Sequence, residues 1–148
     1  MIVLLDAGPL GMITNPKSSP ENVACQNWLT SLADVGVEVV IPEIADYEVR
    51  RELLRADKGP GIRRLDALKG MLGYAPITTA VMLKAAEFWA TARKSGRQSA
   101  NDASLDADMI LAAQALALTH DGEETVIATT NVRHLALFSA ARIWHEIG

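Results

Sequence analysis

The sequence predicts an α/β protein, with three α/β/α layers around a central, mainly parallel sheet. Three features carry that expectation. Ile2-Val3-Leu4-Leu5 and Thr125-Val126-Ile127-Ala128-Thr129-Thr130 are continuous rather than alternating runs of apolar and β-branched residues, as expected of strands covered on both faces. Such runs alternate along the chain with segments of helical period. The chain's 148 residues, 49% hydrophobic and 22% charged, suffice for one core, so residues 1–148 are expected to form a single domain.

Taken in order, the first strand ends abruptly at Asp6, and Ala7-Gly8-Pro9 reads as a turn. Its carboxylate then stands at the carboxyl edge of a buried strand, where open parallel sheets place ligands, or else serves as a turn or helix cap. Pro20-Glu21 opens a helix to about Val35, with Cys25, Trp28, Leu29 and Leu32 on one stripe, which makes Cys25 a core residue. Val37 to Ile41 is a second strand closed by Pro42. The next helix, from Glu43 to about Asp57, carries Glu43, Asp46, Glu48 and Glu52, and periodicity alone does not say which points inward; Glu43, Asp46 and Glu52 are read as surface carboxylates.

The segment from Arg50 to Lys69 is rich in Arg and Lys and is broken at Gly59-Pro60-Gly61. It reads as a solvated helical hairpin, or as a surface on which Arg50, Arg51 and Arg55 track phosphates or meet a partner. Tyr74 to Ile77 is a short edge strand weakened by Pro76, Thr79 caps a helix ending near Gly96, and the polar stretch 95–104 is a loop. From Met109 to Leu118 the chain is apolar around nearly the whole helical circumference, with Gln114 as the polar interruption, so this helix should be buried. Asp106 is expected as its N-cap and Asp108 in its first turn. A short helix over about 132–140 and an edge strand at 142–144 close the chain.

Charge and composition narrow the function classes. A net charge of −4 and a pI near 5.3 argue against a module that holds nucleic acid by bulk positive charge. A single cysteine cannot form an internal disulfide, and no apolar run is long enough to span a bilayer, so a soluble cytoplasmic protein without a membrane partner is expected.

Parallel strands joined by right-handed crossovers put their carboxyl ends on one edge, which brings Asp6 and Asn131 to one rim beside the helix starts that carry Glu48 and Asp108. Carboxylates gathered there raise one another's pKa unless a hard cation takes up the charge, and Mg²⁺ or Mn²⁺ suits oxygen ligands. Asp106 and Asp108, two apart, cannot share a helical face, so Asp108 is taken as the ligand and Asp106 as a cap or outer group.

These residues resemble a known family. Ile2-Val3-Leu4-Leu5-Asp6, Ile44-Ala45-Asp46-Tyr47-Glu48-Val49, Asp108-Met109-Ile110-Leu111-Ala112-Ala113 and Ala128-Thr129-Thr130-Asn131-Val132-Arg133-His134-Leu135 are similar, in order and over essentially the whole chain, to the motifs of PIN-domain ribonucleases. The likeness is particularly to the VapC-type toxins of bacterial toxin–antitoxin pairs. The resemblance implies a PIN-like fold and a metal-dependent endoribonuclease, with Asp6, Glu48 and Asp108 as metal ligands and Asn131 completing the site. It also implies a homodimer and an antitoxin partner. Ala7 stands where the family often has Thr or Ser, and Asn131 where it often has Asp.

The mechanism so implied is hydrolysis of an RNA phosphodiester by water activated on Mg²⁺ or Mn²⁺, with Asn131 or Thr130 orienting water or phosphate and Arg50 and Arg51 contributing to substrate positioning. The lone cysteine and the histidines at 120, 134 and 145 suggest no nucleophile–base pair. A degenerate PIN fold that binds protein or RNA without cleavage is the alternative; the retention of three acids counts against it. A receiver-like phosphoacceptor domain would want a Lys after a late strand, where this chain has Asn131-Val132-Arg133.

Overall fold

Five strands, β1 (Ile2–Leu5), β2 (Glu38–Pro42), β3 (Gly73–Ala75), β4 (Thr125–Thr129) and β5 (Ala140–Ile143), pair in parallel in the order β3-β2-β1-β4-β5. This computed structural model describes residues 1–96 and 101–148. The continuous apolar run of β1 places it at the centre, where every residue is buried and Leu4 pairs with Val40 on one side and Ile127 on the other.

The pleat divides the sheet's side chains between two layers. Val3, Leu5, Val39, Ile41, Val126 and Ala128 pack against α1 (Ala7–Thr14), α2 (Pro20–Asp34), α3 (Glu43–Arg55) and α4 (Gly59–Lys69). On the other face Ile2, Leu4, Val40 and Ile127 meet α6 (Asp102–Leu118), with α5 (Thr79–Lys94) packed against α6. The three-layer α/β/α architecture around a parallel sheet is therefore the one expected. Each fully buried Leu in these layers is worth about 1.5–3 kcal/mol.

Helix α6 is buried around most of its surface, and Gln114, the polar residue in its apolar stretch from Met109 to Leu118, is bonded at both ends of its amide. Gln114 Nε2 donates to Ala75 O at 2.7 Å, and its Oε1 accepts from Ile44 N at 3.4 Å, which ties α6 to the end of β3 and the start of α3. Cys25 is buried in the core as expected, and burial, with Glu21 nearby, pushes its thiol up to about 12.

Several local expectations are corrected. Ala7-Gly8-Pro9 is not a turn but the first turn of α1, capped by Asp6; Pro9 is tolerated there because a first-turn N–H has no intrahelical acceptor. Helix α6 begins at Asp102 under the cap Asn101, whose side chain accepts from Ser104 N at 3.2 Å, so Asp106 caps nothing and Asp108 lies in the second turn. Of the loop expected over 95–104, residues 97–100 lie outside the described residues. Strand β3 stops before Pro76, Thr78 rather than Thr79 caps α5, and the final helix is a 3-10 segment (Arg133–Leu137) leading directly into β5.

Candidate metal centre

The carboxyl ends of β1 and β4 lie side by side, because Leu5 pairs with Ala128, and this register sets Asp6 next to Thr129. Asp6 Oδ1 accepts from Ala7 N at 2.8 Å as the cap of α1, while Oδ2 accepts from Thr129 Oγ1 at 2.7 Å. The same hydroxyl accepts from Asn131 N at 3.1 Å, which fixes the backbone of residue 131 beside Asp6. Thr129 is buried. It is the threonine that holds Asp6, whereas Thr130, expected to orient water or phosphate, is exposed and lies over Gly8. A Cβ on Gly8 would come within 2.6 Å of Thr130 Oγ1, so a side chain there would have to displace that of Thr130.

Asp108 enters from the opposite layer and is only 3% exposed. Its Oδ1 accepts from Arg133 Nη2 at 3.4 Å, whereas Oδ2 is buried without a hydrogen-bond partner among the described residues. Burial pushes its carboxyl up to about 6; Asp6 pushes the same way, against Arg133 and the His134 backbone N–H. Glu48, half-buried on α3, is also raised, first by burial and then by Asp6 and Asp108, with Arg51 and Arg133 opposing. Carboxylates from β1, α3 and α6 thus share one electrostatic environment.

Among the described residues, no three carboxylate, imidazole or thiol groups stand close enough to share an ion as placed. The chemistry of the donors fits a hard divalent cation: carboxylate oxygens partly or wholly withdrawn from water, Asp6 raising the proton affinity of both Glu48 and Asp108, and one buried oxygen unpartnered among the described residues. Asn131 is exposed at the rim of this group. Asp106 is exposed and faces away, toward Met82, Ala86 and Trp89 of α5, as the two-residue offset from Asp108 requires.

The neighbouring charges are arranged differently from their sequence reading. Asp46 is not a surface carboxylate: it is 5% exposed and gathers Arg50 Nε at 3.0 Å, Lys69 Nζ at 3.1 Å and the Tyr74 hydroxyl at 3.0 Å. Burial raises its carboxyl, but Lys69, Tyr74 and Arg50 outweigh that and hold it below the ordinary range. Glu43 is half-buried and accepts from Ile77 N at 2.7 Å. Arg50 also donates to Asp66 at 2.8 Å, so it is committed to this internal network. Arg55 pairs with Glu52, whereas Arg51 lies over the Tyr47 ring. A groove of about 840 Å³ runs between α1 and the α3–α4 hairpin, with Ala7, Gly8 and Glu48 at the acidic site and Lys17, Arg55 and Lys58 farther along it.

No protein-family model and no curated protein matches the chain. Solved structures do. A chain of VapBC2 from Rickettsia felis, in a structure bound to a DNA fragment from their promoter, superposes with a TM-score of 0.73 at 18% identity, covering 97% of this chain and 99% of that one. A chain of VapBC-1 from nontypeable Haemophilus influenzae gives 0.65 at 19% identity over 98% and 99% of the two chains. One from DNA-bound VapBC of Salmonella typhimurium gives 0.62 at 17% identity over 97% and 98%. At such identities the likeness is one of fold, and over nearly its whole length this chain has the fold of these VapBC chains.

Proposed function

We propose that this protein is a divalent-metal-dependent endoribonuclease, acting as the toxin of a toxin–antitoxin pair in the cytoplasm. The observation that carries the reading is the convergence of carboxylates from three elements, Asp6 raising both Glu48 and Asp108 and Asp108 also raising Glu48, with Asp108 Oδ2 buried and unpartnered among the described residues. These three side chains would hold Mg²⁺ or Mn²⁺. When bound, such a cation supplies Lewis-acid activation of water and neutralises charge on the phosphate.

The remaining steps fall to the chain's own groups. Thr129 holds the Asp6 carboxylate in place and pins residue 131 beside it. Asn131 then offers an amide donor and acceptor at the open rim to orient water or a phosphate oxygen. Thr129→Val is expected to lower cleavage about 10–100-fold, as loss of an outer-shell partner does, with Thr129→Ser retaining most activity. Equal losses in both variants would assign Thr129 to packing.

Lys17 and Lys58 line the groove that Glu48 also borders and, among the described residues, lack the carboxylate partners that occupy Arg50 and Arg55. They are the better candidates for tracking phosphates. Lys17→Glu with Lys58→Glu should weaken RNA binding and reduce its dependence on salt, measured as the slope of log affinity against log salt. An unchanged slope would remove the groove from the substrate path.

The test of the activity is cleavage of a generic RNA with Mn²⁺ or with EDTA, by wild type and by Asp6→Asn. Cleavage confined to wild type with Mn²⁺ is expected. Cleavage insensitive to EDTA, or retained by Asp6→Asn, would overturn the reading, and RNA binding without cleavage would favour the degenerate binding module. The toxin role rests on the sequence resemblance and on the fold shared with VapBC chains. Expression should arrest growth, with relief by an antitoxin encoded beside it. The same reading includes a homodimer, for which sedimentation should give about twice 15.9 kDa.

A further inference from the structure

The edge that gathers the acids also carries a cation of the chain itself. Arg133 begins the 3-10 segment after β4, and its backbone has φ +37°, in the left-handed region that a long L side chain adopts only at a cost. From there its guanidinium reaches Asp108, and its charge is also felt by Glu48. The grip is loose. At 3.4 Å the single contact is longer than the roughly 2.7–2.9 Å of a well-formed charge-assisted bond, and the two-pronged pairing that arginine favours with carboxylates is absent.

The two partners are also unequal in their freedom. The Arg133 side chain is 44% exposed and can turn into water, whereas the Asp108 side chain is 4% exposed and stays where α6 puts it. The second oxygen of Asp108 is buried and has no hydrogen-bond partner among the described residues. Such an arrangement neutralises a buried carboxylate partially and yields it readily to a stronger cation.

We propose that Arg133 is a tethered counter-ion of the acidic site: it covers Asp108 when no divalent cation is bound, competes with that cation for the carboxylate, and turns outward when the cation binds. The proposal rests on the metal-binding reading of Asp6, Glu48 and Asp108. Two effects of opposite sign follow from it. Removing the guanidinium leaves Asp108 with only the His134 backbone N–H in the metal-free protein and lowers its melting temperature, and the same change strengthens binding of the ion.

The experiment is a titration of wild type, Arg133→Gln and Asp108→Asn with Mn²⁺ alone, followed by the electron paramagnetic resonance signal of free Mn²⁺, with thermal melts of the same proteins in EDTA. Arg133→Gln is expected to bind Mn²⁺ more tightly than wild type by at least about fivefold, the lower end of ordinary coupling between ligands, and to melt lower in EDTA. Asp108→Asn should lose the binding. Should Arg133→Gln fail to fold, Arg133→Lys carries the same test, since its compact ammonium on a shorter stem covers Asp108 less well and should also tighten Mn²⁺ binding. Equal or weaker binding in the folded Arg133 variant, with wild type binding Mn²⁺, would overturn the proposal and leave the metal-binding reading standing. If wild type binds no Mn²⁺, both fall.

Discussion

Glu48→Gln should abolish RNA cleavage while Glu52→Gln leaves it nearly intact. The two carboxylates sit one helical turn apart on α3 and border the same groove, so they share length, charge and neighbourhood. They differ in what surrounds them. Glu48 is half-buried and its proton affinity is raised by burial and by Asp6 and Asp108, whereas Glu52 is exposed and paired with Arg55 at 2.9 Å. Loss of an outer-shell partner costs about 10–100-fold, so loss of a ligand should exceed about 100-fold, while an exposed ion pair is worth at most about 1 kcal/mol. Rates measured at saturating Mn²⁺ for both variants decide the matter. Equal effects would mean that Glu48 is not a ligand.

The second large effect concerns stability. Asp108 in the folded protein titrates at about 6 against an ordinary 3.8, so the native state holds a proton that the unfolded chain has already released. Between those values the native state binds more protons, and its stability therefore falls as pH rises, with the full cost present above about pH 6. That cost is on the order of 3 kcal/mol as an upper bound, since a pKa unit corresponds to about 1.36 kcal/mol. Asp108→Asn removes it. In EDTA at neutral pH the variant should melt at or above wild type, by up to several degrees at roughly 2–4 °C per kcal/mol for a chain of this size. Its melting temperature should also change less between pH 4 and pH 7.

Metal should reverse the order. An ion that binds only the native state stabilises it by about 2.7 kcal/mol at one hundred times its dissociation constant, so Mn²⁺ should raise the melting temperature of wild type and scarcely that of Asp108→Asn. Thermal melts of the two proteins in EDTA and in Mn²⁺ give the answer. A variant strongly destabilised in EDTA and still fully responsive to Mn²⁺ would make Asp108 a structural residue.

Much of this was legible in the chain itself. Continuous apolar runs at Ile2–Leu5 and Thr125–Thr129 announce doubly covered parallel strands, and the near-unbroken apolar stretch after Asp108 announces a buried helix. Both signals are strong because hydrophobic burial is written into composition and period alone. They suffice to fix the layer architecture and to place Asp6 and Asn131 at one rim. Local capping chemistry was harder to read. Pro9 disguised α1 as a turn, and the polar start Asn101-Asp102-Ala103-Ser104 disguised the first turn of α6, because caps and turns draw on the same residues.

What the tertiary structure alone decided is which polar groups meet. Thr129 rather than Thr130 holds Asp6 because β1 and β4 pair with Leu5 opposite Ala128, a register that no local pattern specifies. Asp46 is buried among Arg50, Lys69 and Tyr74 rather than solvated, since its partners come from α3, α4 and β3 at once. Arg133 reaches Asp108 across twenty-five positions of sequence. By itself the sequence determined the sheet, its layers and the edge where acids collect, because apolar burial is additive along the chain. Which carboxylate is compensated, by which cation, depends on distances of a few ångströms between remote segments, and only the packed fold sets those.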